Sequence, residues 1–340
     1  MKPISLAIVG ATGVVGRKFL EVLSERNIPI QELVLFASHK SAGQIISFKG
    51  SDRVVIALTE DNINSHPVDY ALFSAGATVS KVFAPLFKKN HTIVIDNSSH
   101  FRMDSDVPLV VPEVNPEDAF KHDYIIANPN CSTIQAVVAL KPLHEAYHLK
   151  RVVISTYQAV SGSGINGIYD LEHQLKTGET TKFPYQIHQN VLPHIDVFME
   201  SGNTKEEEKM IFEMRKIMGL PNLKISATAV RVPVVNGHSE SINVEFEKPY
   251  DLTELKDLLS KSQGVILYDD PKELKYPMPI IVNQKDEVFV GRIRRDQSLE
   301  SGLNMFVVAD NIRKGAATNA IQILELLTNE NSLKAYKTVH

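Results

Sequence analysis

Ile4-Ser-Leu-Ala-Ile-Val-Gly10-Ala-Thr-Gly13-Val-Val-Gly16 is the stretch on which the fold turns. Residues 4–9 are a short apolar run and read as a buried strand. Gly10 to Gly16 form a glycine-rich turn, and Val15 to Glu25 have helical spacing. A glycine turn between a strand and a helix is the setting a dinucleotide site requires. Glycine lets the backbone approach a pyrophosphate, and the helix N-terminus offers free N–H groups and a positive dipole. Gly10, Ala11, Thr12, Gly13, Val14, Val15 and Gly16 are therefore candidate cofactor contacts. The spacing is G-x-x-G-x-x-G and only approximates the strict G-x-G-x-x-G fingerprint. A tight turn without a ligand is the competing reading.

Further short apolar runs follow at Leu33–Phe36, Val54–Leu58, Tyr70–Phe73 and Thr92–Ile95, with a helical pattern over Val79–Lys88. Strands alternating with helices imply parallel pairing, because parallel strands need long crossovers. The expected fold class is α/β: a doubly wound, Rossmann-type dinucleotide-binding domain. The second strand ends in Phe36-Ala37-Ser38-His39-Lys40-Ser41. An NAD site usually has an acid here for the ribose 2′-hydroxyl. Ser38, Lys40 and Ser41 instead suit a 2′-phosphate, so NADP(H) is the expected cofactor.

Composition narrows the function classes. With 340 residues the chain has room for two ordinary domains, and 43% hydrophobic against 22% charged residues is a globular balance. A formal net charge of −4 gives no electrostatic reason to expect nucleic acid. No apolar run reaches the roughly 20 residues that span a bilayer. The first apolar stretch is too short for a signal peptide, so a cytoplasmic protein without a membrane partner is expected. The single cysteine excludes an intrachain disulfide and a cysteine-based metal cluster. No metal is expected.

Beyond Asn128-Pro-Asn-Cys131 the pattern changes. Ser132–Tyr147 reads as a helix, followed by strand-like runs at Arg151–Tyr157, Leu223–Val230, Glu240–Phe246, Val288–Arg294 and Asn304–Ala309. These predict an α+β domain with an antiparallel or mixed sheet, carrying the substrate site and a subunit contact. Glu206–Met218 reads as a charged amphipathic helix. Gly162-Ser-Gly164 reads as a loop. Gly315–Leu327 reads as a closing helix that returns to the first domain. The expected division is 1–127 with 313–340 for the NADP-binding domain, and 128–312 for the catalytic and dimerisation domain.

Cys131 is placed immediately before a helix. A free thiol titrates near ~8.5, and a helix N-terminus favours its thiolate through the dipole and unpaired N–H groups. The same N–H groups can hold a developing oxyanion. A thiolate needs a proton-handling partner. Among twelve histidines the candidate is His238, in Arg231-Val-Pro-Val-Val-Asn-Gly-His238. Taken alone, a histidine is more often structural and an arginine more often a surface residue. As a site residue Arg231 would grip a carboxylate with a two-pronged fork.

At these motifs the chain resembles the aspartate-semialdehyde dehydrogenases. The matching stretches are Gly10–Gly16, Asn128-Pro-Asn-Cys131-Ser-Thr, Thr156-Tyr-Gln158-Ala-Val-Ser-Gly162, Arg231–His238 and Asp310-Asn311-Ile-Arg-Lys-Gly-Ala-Ala-Thr-Asn-Ala320. They occur in family order and cover almost the whole chain. The resemblance implies NADPH-dependent reductive dephosphorylation of aspartyl phosphate to aspartate semialdehyde, in lysine, threonine and methionine biosynthesis. It implies that Cys131 forms a thioester, His238 acts as general acid–base and Gln158 orients the reacting groups. Arg231 would hold the substrate α-carboxylate and Glu206 its amine. Arg102, Lys209 and Asn130 would bind phosphate. Ala75, Gly76, Ser161, Gly162 and Asn311 would complete the cofactor contacts, and a homodimer is implied. Three consecutive glutamates, Glu206 to Glu208, leave the register of the Glu206 and Lys209 contacts open. There is no large insertion near Gln158, as in the shorter family members. Competing readings are an N-acetyl-glutamyl-phosphate reductase, which would share fold and cysteine, a glyceraldehyde-phosphate dehydrogenase, and a non-enzymatic NADP sensor, which would need no nucleophile.

Overall fold

The central strand of the first unit, β1 (Ile4–Val9), is buried along its whole length. It belongs to a computed structural model that describes residues 2–329. The remainder of the expected closing segment, 330–340, lies outside the described residues. The chain divides into two units. The first runs to Pro129 and resumes at Ala316; the second runs from Asn130 to Gly315.

In the first unit β1 is followed by α1 (Val14–Glu25), β2 (Ile30–Ala37), β3 (Ile45–Phe48), β4 (Ser51–Ala57), α2 (Glu60–Ser65), β5 (Tyr70–Phe73), α3 (Ala77–Lys89), β6 (Ile93–Asp96) and β7 (Ile125–Ala127). The sheet order is β3-β4-β2-β1-β5-β6-β7, parallel except for the β3–β4 hairpin. Leu6 and Ile8 of β1 pack with Phe19 and Leu23 of α1 and with Ile321 and Leu324 of α9 (Thr318–Thr328). Ala7 and Val9 face the opposite way, toward Ile63, Ala84 and Phe87. Both faces of β1 are covered, which is why it reads as a continuous apolar run. The strand order reverses direction between β1 and β5, so the loops after these two strands flank the crevice where doubly wound sheets bind ligands.

The second unit opens with α4 (Cys131–Tyr147) and β8 (Leu149–Gln158), then α5 (Ile165–Thr177), α6 (Lys205–Met218), β9 (Lys224–Arg231) and β10 (His238–Phe246). It closes with α7 (Leu252–Lys261), β11 (Val265–Leu267), α8 (Pro279–Val282), β12 (Val288–Asp296) and β13 (Gly302–Ala309). Its mixed sheet has the order β11-β12-β13-β10-β8-β9, parallel at β11–β12 and β8–β9 and antiparallel elsewhere. Side chains alternate with period two, so Ile242, Val244 and Phe246 share the inward face of β10 with His238 and Glu240. The parallel strands β8 and β9 end side by side at Gln158 and Arg231. Antiparallel β10 starts at that same end with His238. Three chemically distinct side chains thus meet at one sheet edge by topology alone.

Several elements differ from the sequence reading. The hairpin β3–β4 turns at Lys49-Gly50, both at positive φ (48° and 76°), without the Asn-Gly that marks such turns. Helix α5 follows the Gly162–Gly164 loop in a stretch for which no element was expected. Gly164, at φ 78°, is its N-cap, and Gly178, in the left-handed region, is its C-cap. Cys131 is the first residue of its helix rather than the residue before it. A five-residue π turn, Arg313–Ala317, precedes α9, which starts three residues later than the pattern suggested.

Gly16 is the tightest position of the nucleotide loop: a Cβ there would lie 2.1 Å from Gly10 O. The same addition at Gly13 would meet Gly10 O at 3.3 Å. Gly16→Ala is expected to destabilise the first unit by about 2 kcal/mol or more through overpacking against backbone. Gly13→Ala should cost clearly less. Thermal unfolding of the two variants beside the parent checks the ordering.

Candidate active site

Asn130 caps the helix that Cys131 begins. Its Oδ1 accepts from Ser132 N at 3.0 Å and Thr133 N at 3.3 Å. Asparagine is among the best residues for this position, because its short side chain reaches the open N–H groups of the first turn. The remaining polar groups of Asn130 are also engaged. Its Nδ2 donates to Glu206 Oε1 at 2.8 Å, and its backbone N donates to Glu213 Oε2 at 2.7 Å. Cys131 is half-buried, and its sulfur is not in a disulfide. On its other side a Cβ on Gly315 would lie 2.8 Å from Cys131 Cβ, so only glycine fits there.

The three consecutive glutamates of α6 have separate sets of partners. Glu207 forms a capping box with Thr204, and its Oε1 accepts from Ala229 N at 2.9 Å. Glu208 accepts from the Ser201 hydroxyl. Glu206 is the one that faces the cysteine corner. Besides Asn130 it accepts from Gln158 Nε2 at 3.1 Å and from Lys209 Nζ at 3.1 Å. Burial pushes the Glu206 carboxyl up, but Lys209 and the two amides outweigh it and hold the group below the usual carboxylate range. Lys209 spans Glu206 and Asp196, the latter at 2.7 Å. Burial opposes its charge, and the two carboxylates prevail and raise it.

Arg231 and His238 approach each other beneath Gly162. A Cβ on Gly162 would meet Arg231 Nη1, His238 Cε1 and His238 Nε2, each at 3.3 Å. Arg231 Nη1 donates to Ala159 O at 2.7 Å, and its guanidinium stands 5.9 Å from the Phe183 ring centroid. His238 is fully buried, and its Nδ1 accepts from Ala159 N at 3.0 Å. That bond assigns the proton of the neutral ring to Nε2. Burial, reinforced by Arg231, pushes the imidazole well below its ordinary value. Ser161 and Asn311 form a second cluster at this edge: Asn311 Nδ2 donates to Ser161 Oγ at 3.0 Å, and Asn311 Oδ1 accepts from Gly237 N at 2.8 Å.

The first unit holds the other expected residues. Gly10 has φ 87°, and a Cβ there would lie 2.6 Å from Ser74 O, so the loop after β1 lies against the loop after β5. Helix α1 has no side-chain cap at Gly13, which leaves the N–H groups of its first turn, around Val14, Val15 and Gly16, for an anionic group. Gly76, at φ 87°, begins α3 beside Ala75, and a Cβ there would meet nothing within 4 Å. Ser38 and Lys40 are exposed past the end of β2, with Ser41 next to them and no acid in the turn. These features fit a dinucleotide with a 2′-phosphate. Arg102 is buried; its Nε donates to Asn128 O at 2.9 Å and its Nη2 to Asn97 O at 3.0 Å.

Comparisons with known proteins match the chain to semialdehyde dehydrogenases. A family model described as "Semialdehyde dehydrogenase, NAD binding domain" matches residues 5–122, and "Semialdehyde dehydrogenase, dimerisation domain" matches residues 140–314. The chain is 58% identical to an aspartate-semialdehyde dehydrogenase of Aquifex aeolicus, over 96% of this chain and 98% of the relative. It is 49% identical to one of Campylobacter jejuni, over 94% and 96%. Aspartate semialdehyde dehydrogenase II of Vibrio cholerae, in its complex with ASA, superposes with a TM-score of 0.92 at 46% identity, covering 97% of this chain and 99% of that one. The enzyme of Candida albicans, with NADP, gives 0.77 at 27% identity, over 97% and 100%.

Glu213 and Glu240 are buried carboxyl residues of the second unit that the sequence reading did not single out. A Glu two residues after a candidate histidine on one strand shares its face, and that period-two signal was available. Glu240 is fully buried, and neither of its oxygens has a hydrogen-bond partner. Burial pushes its carboxyl well above the usual range, against a smaller opposing pull from Gln135. Gln135 in turn donates to His238 O at 3.2 Å. A carboxyl whose folded value is raised stabilises the fold below its unfolded value, and that contribution is lost as pH rises toward the folded one, by up to about 1.4 kcal/mol per unit. Glu240→Gln should therefore gain melting temperature relative to the parent as pH rises from about 5 to about 8. Titration of His238 is common to both proteins and cancels. A melting difference that stays constant across this range would mean that Glu240 is charged in the fold.

Proposed function

The chain belongs to the aspartate-semialdehyde dehydrogenase family, and on that premise we propose that Cys131 is the nucleophile of an NADP-dependent phosphorylating dehydrogenase. The observation that carries the assignment is the Asn130–Cys131 corner, bound through Glu206 to Gln158 and Lys209. The overall reaction is the reductive dephosphorylation of L-aspartyl 4-phosphate to L-aspartate 4-semialdehyde. The Cys131 sulfur bonds to the acyl carbon, the carbon–oxygen bond to phosphate breaks, and phosphate leaves with the electron pair. NADPH, when bound, would supply the hydride to the acyl carbon; the carbon–sulfur bond then breaks, and Cys131 is released as thiolate with the aldehyde as product. Residues Gly10 to Gly16, Ala75 and Gly76 would hold the cofactor, with Ser38, Lys40 and Ser41 at its 2′-phosphate. Ser161, Gly162 and Asn311 complete this set.

The substrate roles follow from the charges. Arg231, with one nitrogen fixed on Ala159 O, has further donors for the α-carboxylate. Glu206, held ionised, takes the α-ammonium group. Lys209 and Asn130 present donors to phosphate, and Arg102 is the remaining phosphate ligand. Gln158, anchored on Glu206, orients the acyl group. We assign His238 as a donor rather than a base. With Nδ1 occupied by Ala159 N–H, its proton sits on Nε2, and burial with Arg231 keeps the ring neutral. A neutral imidazole in this state stabilises an oxyanion, as in other enzymes with a depressed histidine. A homodimeric, cytoplasmic enzyme completes the reading.

Phosphate-dependent reduction of NADP with aspartate semialdehyde is the decisive assay, followed by absorbance of the reduced nicotinamide beside N-acetyl-glutamate semialdehyde. The expected substrate is the first; turnover of only the second would make the chain an N-acetyl-glutamyl-phosphate reductase. Cys131→Ser should abolish turnover and keep NADPH affinity. Arg231→Lys should raise KM for the aldehyde by roughly 30-fold, about 2 kcal/mol, as the fork is lost. His238→Gln, which restores an N–H near the position of Nε2, should retain at least about tenfold more kcat than His238→Ala. Equal loss in the two would leave donation from Nε2 without support.

A further inference from the structure

Resting on that reading of Cys131, we propose that Glu213 is a positioning residue for the nucleophile. A capping box joins two bonds at a helix start: the N-cap side chain accepts an N–H of the first turn, and a Glu or Gln at the third helical position accepts the N-cap backbone N–H. Helix α6 has both halves within itself, from Thr204 and Glu207. Helix α4 has only the first half, because its third residue is Thr133. The missing acceptor comes from another helix. Glu213 of α6 takes the Asn130 backbone N–H at 2.7 Å.

Glu206 and Glu213 are seven residues apart, two turns along the same face of α6. One holds the Asn130 side chain and the other its backbone. Glu213 is only 1% exposed, so no water substitutes easily for its carboxylate. The Gly315 backbone closes the other side of Cys131. The thiol is therefore set between a wall and a clamp. The bond from Asn130 N ties Glu213 to the backbone just ahead of the cysteine, so placement of the sulfur rather than its activation is what Glu213 supplies. Its contribution is the path of the chain that enters α4.

The two effects separate by substitution. Glu213→Gln keeps an oxygen acceptor of the same reach and removes the charge. It should retain kcat within about threefold, and Cys131 should be alkylated by iodoacetamide at an equal or higher rate at neutral pH. Glu213→Leu leaves the Asn130 N–H buried without an acceptor. It should lower kcat by roughly 10- to 100-fold, the scale of a displacement of about 1 Å in a reacting group. NADPH affinity, measured by fluorescence, should not change in either variant and reports an intact first unit. If the leucine variant does not fold, Glu213→Asp replaces it, since a carboxylate one methylene shorter cannot hold the same bond; at least a fivefold loss of kcat is then expected. Near-parental kcat in a folded Glu213→Leu or Glu213→Asp protein overturns the proposal, and so does a glutamine variant as impaired as the leucine one. Absence of turnover in the parent itself would instead overturn the reading of the reaction, and the alkylation rates would still report on Glu213.

Discussion

Besides the first helical bond, four hydrogen bonds converge on Asn130, and the geometry of the proposed site in the second unit depends on them. Two of its bonds finish the start of α4, and two anchor it to α6. Because Glu206 also holds Gln158, the last residue of β8 is joined to the same point. A helix start, a helix face and a strand end are thus fixed relative to one residue. Neutral hydrogen bonds contribute only about 1 kcal/mol each, but those to ionised carboxylates contribute about twice that, and a buried orphan costs more than either. The network is therefore strongly all-or-none: a change at one member exposes the others to an unpaired group.

The inner face of the second sheet shows how charge is distributed around this hub. Ionised groups occur where partners are dense, as at Glu206 with Lys209, Asn130 and Gln158. Where partners are lacking, the neutral form is kept, as at His238 and Glu240. Both outcomes follow from the same desolvation cost. This part of the second unit thus combines fixed charges, at Glu206 and Lys209, with uncharged polar groups, at His238 and Glu240.

The sequence carried the doubly wound unit almost entirely, because strands such as β1 and β5 are covered on both faces and read as apolar runs. The strand ends in the second unit were legible for a different reason: Gln158, Arg231 and His238 stand at boundaries between apolar alternation and turn residues. Glycines concealed other elements. Gly164 caps the start of α5 but reads as loop, and the Lys49-Gly50 turn lacks its usual asparagine. The register of Glu206 to Glu208 was beyond composition and spacing, since it depends on which carboxylate meets Asn130 across a long separation in sequence. Glu213 was invisible for the same reason, as its partner is a backbone N–H that no side-chain pattern records.

The first unit is not finished by the first stretch of chain. Helix α9 sets Ile321, Leu324 and Leu327 against β1 and α1, Glu325 pairs with Arg26 at 2.7 Å, and Asn319 reaches Val110 O and the Asn128 side chain. During synthesis on the ribosome the strands of the nucleotide unit emerge early, yet the part of their sheet that α9 covers beside α1 stays open until residues 318–328 have been made. The second unit, an uninterrupted segment, has all its strands by then. Vectorial synthesis thus delivers the second unit complete before the first, although the first begins earlier, and the apolar strip open in the interval is the one that Ile321, Leu324 and Leu327 later close.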